Sequence, residues 1–248
     1  PLPLLSSHEG HGAAGTAQSA PLLRSRRNAL YRSMRTNEGQ RDWQVLLIGG
    51  ASGVGKTGLS YRLAHHFAVG ITEVDDFQCI LEQMTTPAQQ PLLHYWRTHP
   101  DEVSGWAAAQ RHAHFLSVCR TIYSPAMAAV IANRLAGGSP VIYEGDFILP
   151  ELAAMAHYGP VAAAGQVRAV FLYEEDEEQV ASNFLQREGR LQPDRAHSSW
   201  LFGQWLRAEC HRLNLPAPAA RPWHSLFERI AGPLAAANQS FLHNTEIW

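Results

Sequence analysis

Residues 44–48 (Gln-Val-Leu-Leu-Ile) form a nearly unbroken apolar run closed by a glycine pair. Such a run predicts a strand buried on both faces. Gly49 to Lys56 then reads as a loop, Thr57 to Phe67 as a helix, and Ile71 to Val74 as a short second strand. From Phe77 to about Gly138 the pattern is helical, broken near Thr85 to Pro91 and near Thr98 to Asp101. Trp106 to Leu135 reads as one or two helices stopped by Gly137-Gly138. Val141 to Tyr143 and Val167 to Tyr173 predict a third and a fourth strand. Helical patterns follow over Glu177 to Arg187, Ser198 to Leu213 and Trp223 to Ala237. Leu215 to Ala220 is a weak fifth strand, and its two prolines favour an edge or a loop.

Strands alternating with helices predict an α/β domain over 43–248, with a parallel sheet of about five strands and a helical insert at about 77–138. Residues 1–42 differ in kind. They hold Gly, Ser, Ala and six arginines (Arg24, Arg26, Arg27, Arg32, Arg35, Arg41) with little apolar period, and they predict a flexible segment ending in a short helix around Ala29 to Met34.

Composition narrows the function. The chain of 248 residues has 20 basic and 22 acidic side chains, which argues against nucleic-acid binding through bulk charge. No run of about 18 apolar residues occurs, so no membrane span is expected. The N-terminus shows no basic stretch followed by an apolar one, so no secretory leader is expected and the chain reads as cytoplasmic. Cys79, Cys119 and Cys210 are widely spaced and read as reduced, mostly buried thiols. The close histidine sets, His65-His66 and His112/His114, lack the spacing of a helical metal site. Of the 20 basic residues only Lys56 is a lysine.

That lysine sits in Gly50-Ala-Ser-Gly-Val-Gly-Lys-Thr57, which fits G-x-x-x-x-G-K-[ST] between a strand and a helix. Glycines let the backbone curl so that the N–H groups of Ser52, Gly53, Val54 and Gly55 point at phosphate oxygens. The next helix adds the positive end of its dipole. Lys56 reaches the β- and γ-phosphates, and Thr57 offers its hydroxyl to Mg²⁺. The expected fold is thus a P-loop NTPase three-layer sandwich. A guanine-reading Asn-Lys-x-Asp loop needs a second lysine, so a GTPase is excluded.

The remaining chemistry lies at strand ends. The third strand runs into Glu144-Gly145-Asp146, placing Glu144 beside the loop as a carboxylate for Mg²⁺. The second ends in Val74-Asp75-Asp76-Phe77. Asp75 there suits a base toward an attacking hydroxyl, and Asp76 suits helix capping or substrate orientation. Arg187 and Arg190, late in the chain, suit a flap that neutralises charge in the transferring phosphoryl group. The insert carries Arg97, Arg111 and Arg120 among aromatic and histidine residues, which suits a polar acceptor, anionic ones included.

The order GGASGVGKT, VDDF, VIYEGD and an Arg-rich flap resembles the P-loop small-molecule kinases over roughly residues 44–230. VDDF is similar to the aspartate motif of uridine kinase and nicotinamide riboside kinase. GG-x-SGVGK and the closing LPAPAARPWHSLFERI are similar to 2-phosphoglycerate kinase-like proteins. The resemblance implies ATP and Mg²⁺ as cofactors, Asp75 as base, Glu144 on the metal side, and Pro216 to Pro222 where such kinases wrap adenine. It implies transfer of the γ-phosphoryl group to a hydroxyl of a small molecule. Two other readings stay open: a toxin-like or antibiotic-modifying phosphotransferase of the same fold, and an ATP-binding regulatory module.

Overall fold

The computed structural model describes residues 41–235. The expected helix at 29–34, and nearly all of the expected flexible segment, lie outside the described residues. In chain order the elements are β1 (Val45–Gly50), α1 (Lys56–Phe67), β2 (Gly70–Glu73), α2 (Asp75–Met84), α3 (Pro91–Thr98) and α4 (Pro100–Ser104). Next come α5 (Ala108–Val118), a π-helical turn (Cys119–Tyr123), α6 (Ser124–Gly137), β3 (Val141–Glu144) and α7 (Pro150–Ala153). The last are β4 (His157–Tyr158), β5 (Val161–Ala162), β6 (Val167–Leu172), α8 (Glu177–Glu188), α9 (Pro193–Arg212) and α10 (Trp223–Ala235).

Four strands make one parallel sheet in the order β2-β3-β1-β6. Val45, Leu46, Leu47 and Ile48 are wholly buried, so both faces of β1 are covered by helices, as a central parallel strand requires. Each such aliphatic side chain contributes about 1.5–3 kcal/mol on burial. The carboxyl ends of all four strands share one edge: Ile48 pairs with Glu144, Glu73 with Glu144, and Gly50 with Leu172. The chain leaves β1 toward β2 and β3 and returns on its other side as β6. That reversal opens a crevice beyond the end of β1.

The sheet has four strands rather than about five. Residues 215–220 do run beside β6: the Phe171 N–H donates to the Pro216 carbonyl (3.0 Å) and the Ala220 N–H to the Tyr173 carbonyl (2.8 Å). Only a single bridge, Tyr173 with Ala219, results. Pro216 and Pro218 have no N–H to continue a ladder. Two helices start earlier than the pattern suggests. Val74 occupies the N-cap position, so α2 opens at Asp75. In α9 Pro193 stands in the first turn, where no N–H is needed. The two-residue strands β4 and β5, joined around Gly159-Pro160, are too short for any alternation to reveal.

Residues 108–137 form one continuous helix, interrupted only by the π turn. Pro125, just after that turn, cannot donate to the Thr121 carbonyl, and its ring crowds the preceding turn. Contrary to expectation, this helix is long and apolar enough to cross a membrane by length and composition. In the fold one stripe of it packs into the core: Cys119, Tyr123, Met127, Ile131 and Leu135 recur every fourth residue and are buried in the central cluster. Cys119 and Cys210 are buried free thiols, pushed up by burial, while Cys79 is exposed.

Candidate active site

The turn from β1 into α1 is the site's floor. Gly53 and Gly55 have φ of 81° and 88°, the left-handed region where a side chain is strained. A Cβ on Gly55 would also lie 2.2 Å from the Trp223 ring, which packs against the loop. The neighbouring helices hold the loop's carbonyls: Asn183 Nδ2 of α8 donates to the Gly53 carbonyl (2.9 Å) and Ser199 Oγ of α9 to that of Ser52 (2.6 Å). The first N–H groups of α1 have no intrahelical acceptor, which makes this end an anion-binding terminus.

Lys56 is buried, with only 6% of its surface exposed. Its Nζ donates to the Ala51 carbonyl (2.9 Å), pairs with Asp146, and lies 3.9 Å from Glu144. Thr57 Oγ1 donates to Glu144 Oε2 (3.2 Å). A buried ammonium needs this compensation, because an unpaired charge is expensive away from water.

These groups open on a cleft of about 250 Å³ at the strand ends, walled by Lys56, Thr57, Glu73, Asp75, Glu144 and Asp146. Asp75 is exposed at the mouth of the cleft, and partial desolvation there pushes its carboxyl above its usual range, with the Asp146 charge adding to the effect and Lys56 opposing it. Burial likewise pushes Glu144 up, against Lys56 and the Thr57 hydroxyl. Four carboxylates thus face one lysine and Arg187, a balance that favours cations or proton acceptance. An adjoining cleft of about 450 Å³ is lined by Gly55, Glu174, Asn183, Ala220, Arg221 and Trp223. Buried Glu174 holds Arg221 (3.3 Å), which also donates to Asn183 Oδ1 (3.2 Å).

Of the residues singled out in the sequence, Ser52, Gly53, Gly55, Lys56, Thr57, Asp75, Glu144 and Arg187 meet at the first cleft. Gly50 ends β1 just behind it, and Val54 lines the adjoining one. Arg187 reaches both clefts while pairing with Glu188 (2.7 Å) and lying over the Phe184 ring. The structure does not bring the others there. Arg190 lies exposed beyond the end of α8, and Asp76 is exposed on the first turn of α2, where its charge suits the helix dipole. Arg97 pairs with Glu82 of α2 (2.5 Å) and Arg120 with Glu151 of α7 (2.6 Å), each drawn to a carboxylate outside the cleft lining. Arg111 is half-buried on α5, outside that lining. The insert's aromatics pack on one another: Tyr95 stacks on His99 (4.1 Å) and Trp106 (5.5 Å) and also meets His114.

Sequence reasoning passed over Glu73, Asp146, Asn183, Arg221 and Trp223. Glu73 closes β2 and Asp146 follows β3 by two residues, so the strand-end rule that selected Glu144 reaches them too. Asn183, Arg221 and Trp223 carry no local signal, since only packing against the loop assigns them.

The donor set fits a magnesium nucleotide. The glycine turn leaves no room for side chains, Lys56 is held by the part-exposed Asp146, and Thr57 with Glu144 offers a hydroxyl and a carboxylate side by side. Among the described residues no group of three or more His, Cys, Asp or Glu forms a ready-made metal cage. Mg²⁺ needs none, because phosphate oxygens and water supply most of its six ligands.

No family model and no curated protein matches the chain. Three similar solved structures are kinases by name. A gluconokinase from Sinorhizobium meliloti 1021 is 18% identical, with 79% of this chain and 94% of that one covered at a TM-score of 0.45. A sugar kinase from Janibacter sp. HTCC2649 is 18% identical, over 75% and 91%, at 0.40. A shikimate kinase from Acinetobacter baumannii, in complex with shikimate, is 11% identical, over 78% and 91%, at 0.46. What this chain can do is carried by its own cleft.

Proposed function

We propose that the chain is an ATP- and Mg²⁺-dependent kinase that transfers the γ-phosphoryl group to a hydroxyl of a small polar molecule. The observation that carries this reading is Asp75, a carboxylate of raised proton affinity in the same cleft as Lys56 and the Thr57–Glu144 pair. An enzyme that only hydrolyses nucleotide has to position a water. A carboxylate opening a separate helix, beside an exposed insert, suits a base for a larger nucleophile.

The bound magnesium nucleotide supplies the electrophilic phosphorus. Lys56 and the loop's N–H groups hold the phosphates, and Thr57 and Glu144 hold the metal. Asp75 accepts the proton of the acceptor hydroxyl. Arg187, reaching from α8 into both clefts, stands where it can neutralise charge on the equatorial oxygens. The adjoining cleft, with the Trp223 ring and the Arg221 guanidinium, takes the base. The acceptor is a metabolite rather than a nucleic acid or lipid, and the site belongs in a reducing, cytoplasmic setting.

The test is phosphoryl transfer from ³²P-labelled ATP to a panel of sugars, polyols, nucleosides and aminoglycosides. Transfer to at least one acceptor is expected, with Lys56→Ala lowering it by about 10²–10³-fold. Transfer that survives both Lys56→Ala and Asp75→Asn would sink the reading. Transfer to aminoglycosides alone would favour the antibiotic-modifying variant.

A further inference from the structure

Lys56 has three oxygen partners, and they are not equally fixed. The Ala51 carbonyl belongs to the loop itself. Glu144 is buried, 6% exposed in its side chain, and takes the Thr57 hydroxyl. Asp146 is different: its side chain is 30% exposed, it stands on the loop after β3, and among the described residues Lys56 is the one partner its carboxylate shows. We propose that Asp146 serves two partners in turn, holding Lys56 while no phosphate is present and binding the acceptor once Lys56 has turned to phosphate. The acceptor is then a polyol or amino alcohol, with a second hydroxyl or an ammonium beside the reacting hydroxyl. This rests on the kinase reading above.

Charge forces the exchange. A phosphoryl group at Lys56 sets a second anion beside Asp146, and like charges at a few ångströms repel strongly in a part-buried cleft. Glu144 is pinned by Thr57, so Asp146 is the carboxylate that yields. It does not go far. Gly145, which precedes it, is pressed on Val74, which precedes Asp75: a Cβ on Gly145 would lie 2.9 Å from the Val74 Cβ. The Val74 N–H also donates to the Glu144 carbonyl (2.7 Å). Two touching backbone segments therefore hold Asp75 and Asp146 on the same cleft wall. With Lys56 gone to phosphate, these neighbouring carboxylates keep acceptor capacity, and Arg187, the other cation lining the cleft, is paired with Glu188. Two adjacent donors on one molecule satisfy both: the reacting hydroxyl on Asp75 and its neighbour on Asp146. A carboxylate or phosphate at the second place would meet Asp146 with like charge.

Calorimetry with a non-hydrolysable magnesium ATP analogue, together with acceptor kinetics, tests this on wild type and Asp146→Asn. The variant should bind the analogue as tightly as wild type or up to about tenfold more tightly, since a competitor for Lys56 is removed. The KM for an active polyol should rise by about tenfold or more, with kcat changed less, the cost of one charge-assisted hydrogen bond. In wild type the analogue should strengthen binding of that polyol, and in Asp146→Asn this coupling should vanish. Sugar acids and sugar phosphates bearing the anion next to the reacting carbon should be poor acceptors for wild type. Loss of analogue affinity by more than about tenfold in Asp146→Asn would make Asp146 a metal ligand and overturn the proposal. So would an unchanged acceptor KM, or a preference for acceptors with that adjacent anion. If Asp146→Asn does not fold, the wild-type acceptor preferences and coupling decide. Wild type that binds no analogue at all would defeat the kinase reading itself, whereas transfer to the adjacent-anion class would defeat only the role of Asp146.

Discussion

The two walls of the cleft are built differently. The phosphate wall rests on β1, whose residues are all buried, and on α1, whose Leu59, Leu63 and Phe67 anchor it in the core. The acceptor wall rests on α2, which has no fully buried residue and exposes Ile80 and Met84. A phosphate chain is the same in every nucleotide, so its cradle can be rigid and preformed. An acceptor must enter, be covered and leave, and elements with few buried contacts open at low cost. On the kinase reading, the common ligand would be met by the core and the particular one by the periphery.

The sharpest way to break this contrast is Asp75→Asn. Transfer should fall by about 10²–10⁴-fold while calorimetric nucleotide binding persists, because Asp75 is not among the groups that hold Lys56 or line the glycine turn. The same variant should melt at a higher temperature at neutral pH. The folded protein holds the Asp75 carboxyl above its ordinary value, so ionised Asp75 costs stability as pH rises through that window, and Asn removes the cost. A lower melting temperature would show that Asp75 anchors α2 instead.

Next in size is Gly55→Ala, which combines a left-handed φ with a clash against Trp223. A loss of about 2–4 kcal/mol in chemical denaturation is expected, together with nucleotide binding too weak to measure. An active, stable Gly55→Ala would mean that the phosphate wall is less rigid than its geometry states. The pH profile of transfer should then rise with an onset above the ordinary carboxylate range, set by Asp75. In Asp75→Asn that limb should disappear. The smallest effects belong to Arg97→Ala and Arg120→Ala. Both guanidiniums are exposed while Glu82 and Glu151 are part-buried, so each change should cost about 1 kcal/mol in stability and alter transfer little. A large rise in acceptor KM from either would restore it to the acceptor wall.

The same contrast explains what the sequence could disclose. Lys56 and Thr57 were legible because a phosphate cradle forces glycines, a lysine and a hydroxyl into one local string. Asp75 and Glu144 were legible because parallel strands deliver their ends to one edge, although the same rule extends to Glu73 and Asp146. Arg97 and Arg120 misled because charge type alone does not say whether a closer carboxylate, Glu82 or Glu151, will capture them. Asn183 and Trp223 stayed hidden because their roles exist only once distant helices dock on the loop. The fold itself was mostly legible, strands and helices near their places. At residues 215–220 the two prolines already favoured an edge or a loop, and a single bridge is what forms, while the two-residue strands β4 and β5 were the part with no signal.

The contact between Gly55 and Trp223 also has a consequence in time. During synthesis the phosphate loop emerges early, but the indole that packs against it belongs to α10, made near the end of the domain. A growing chain therefore carries a complete phosphate motif without the wall that shapes the adjoining cleft. On the kinase reading, nucleotide capture should begin only after Trp223 has left the ribosome.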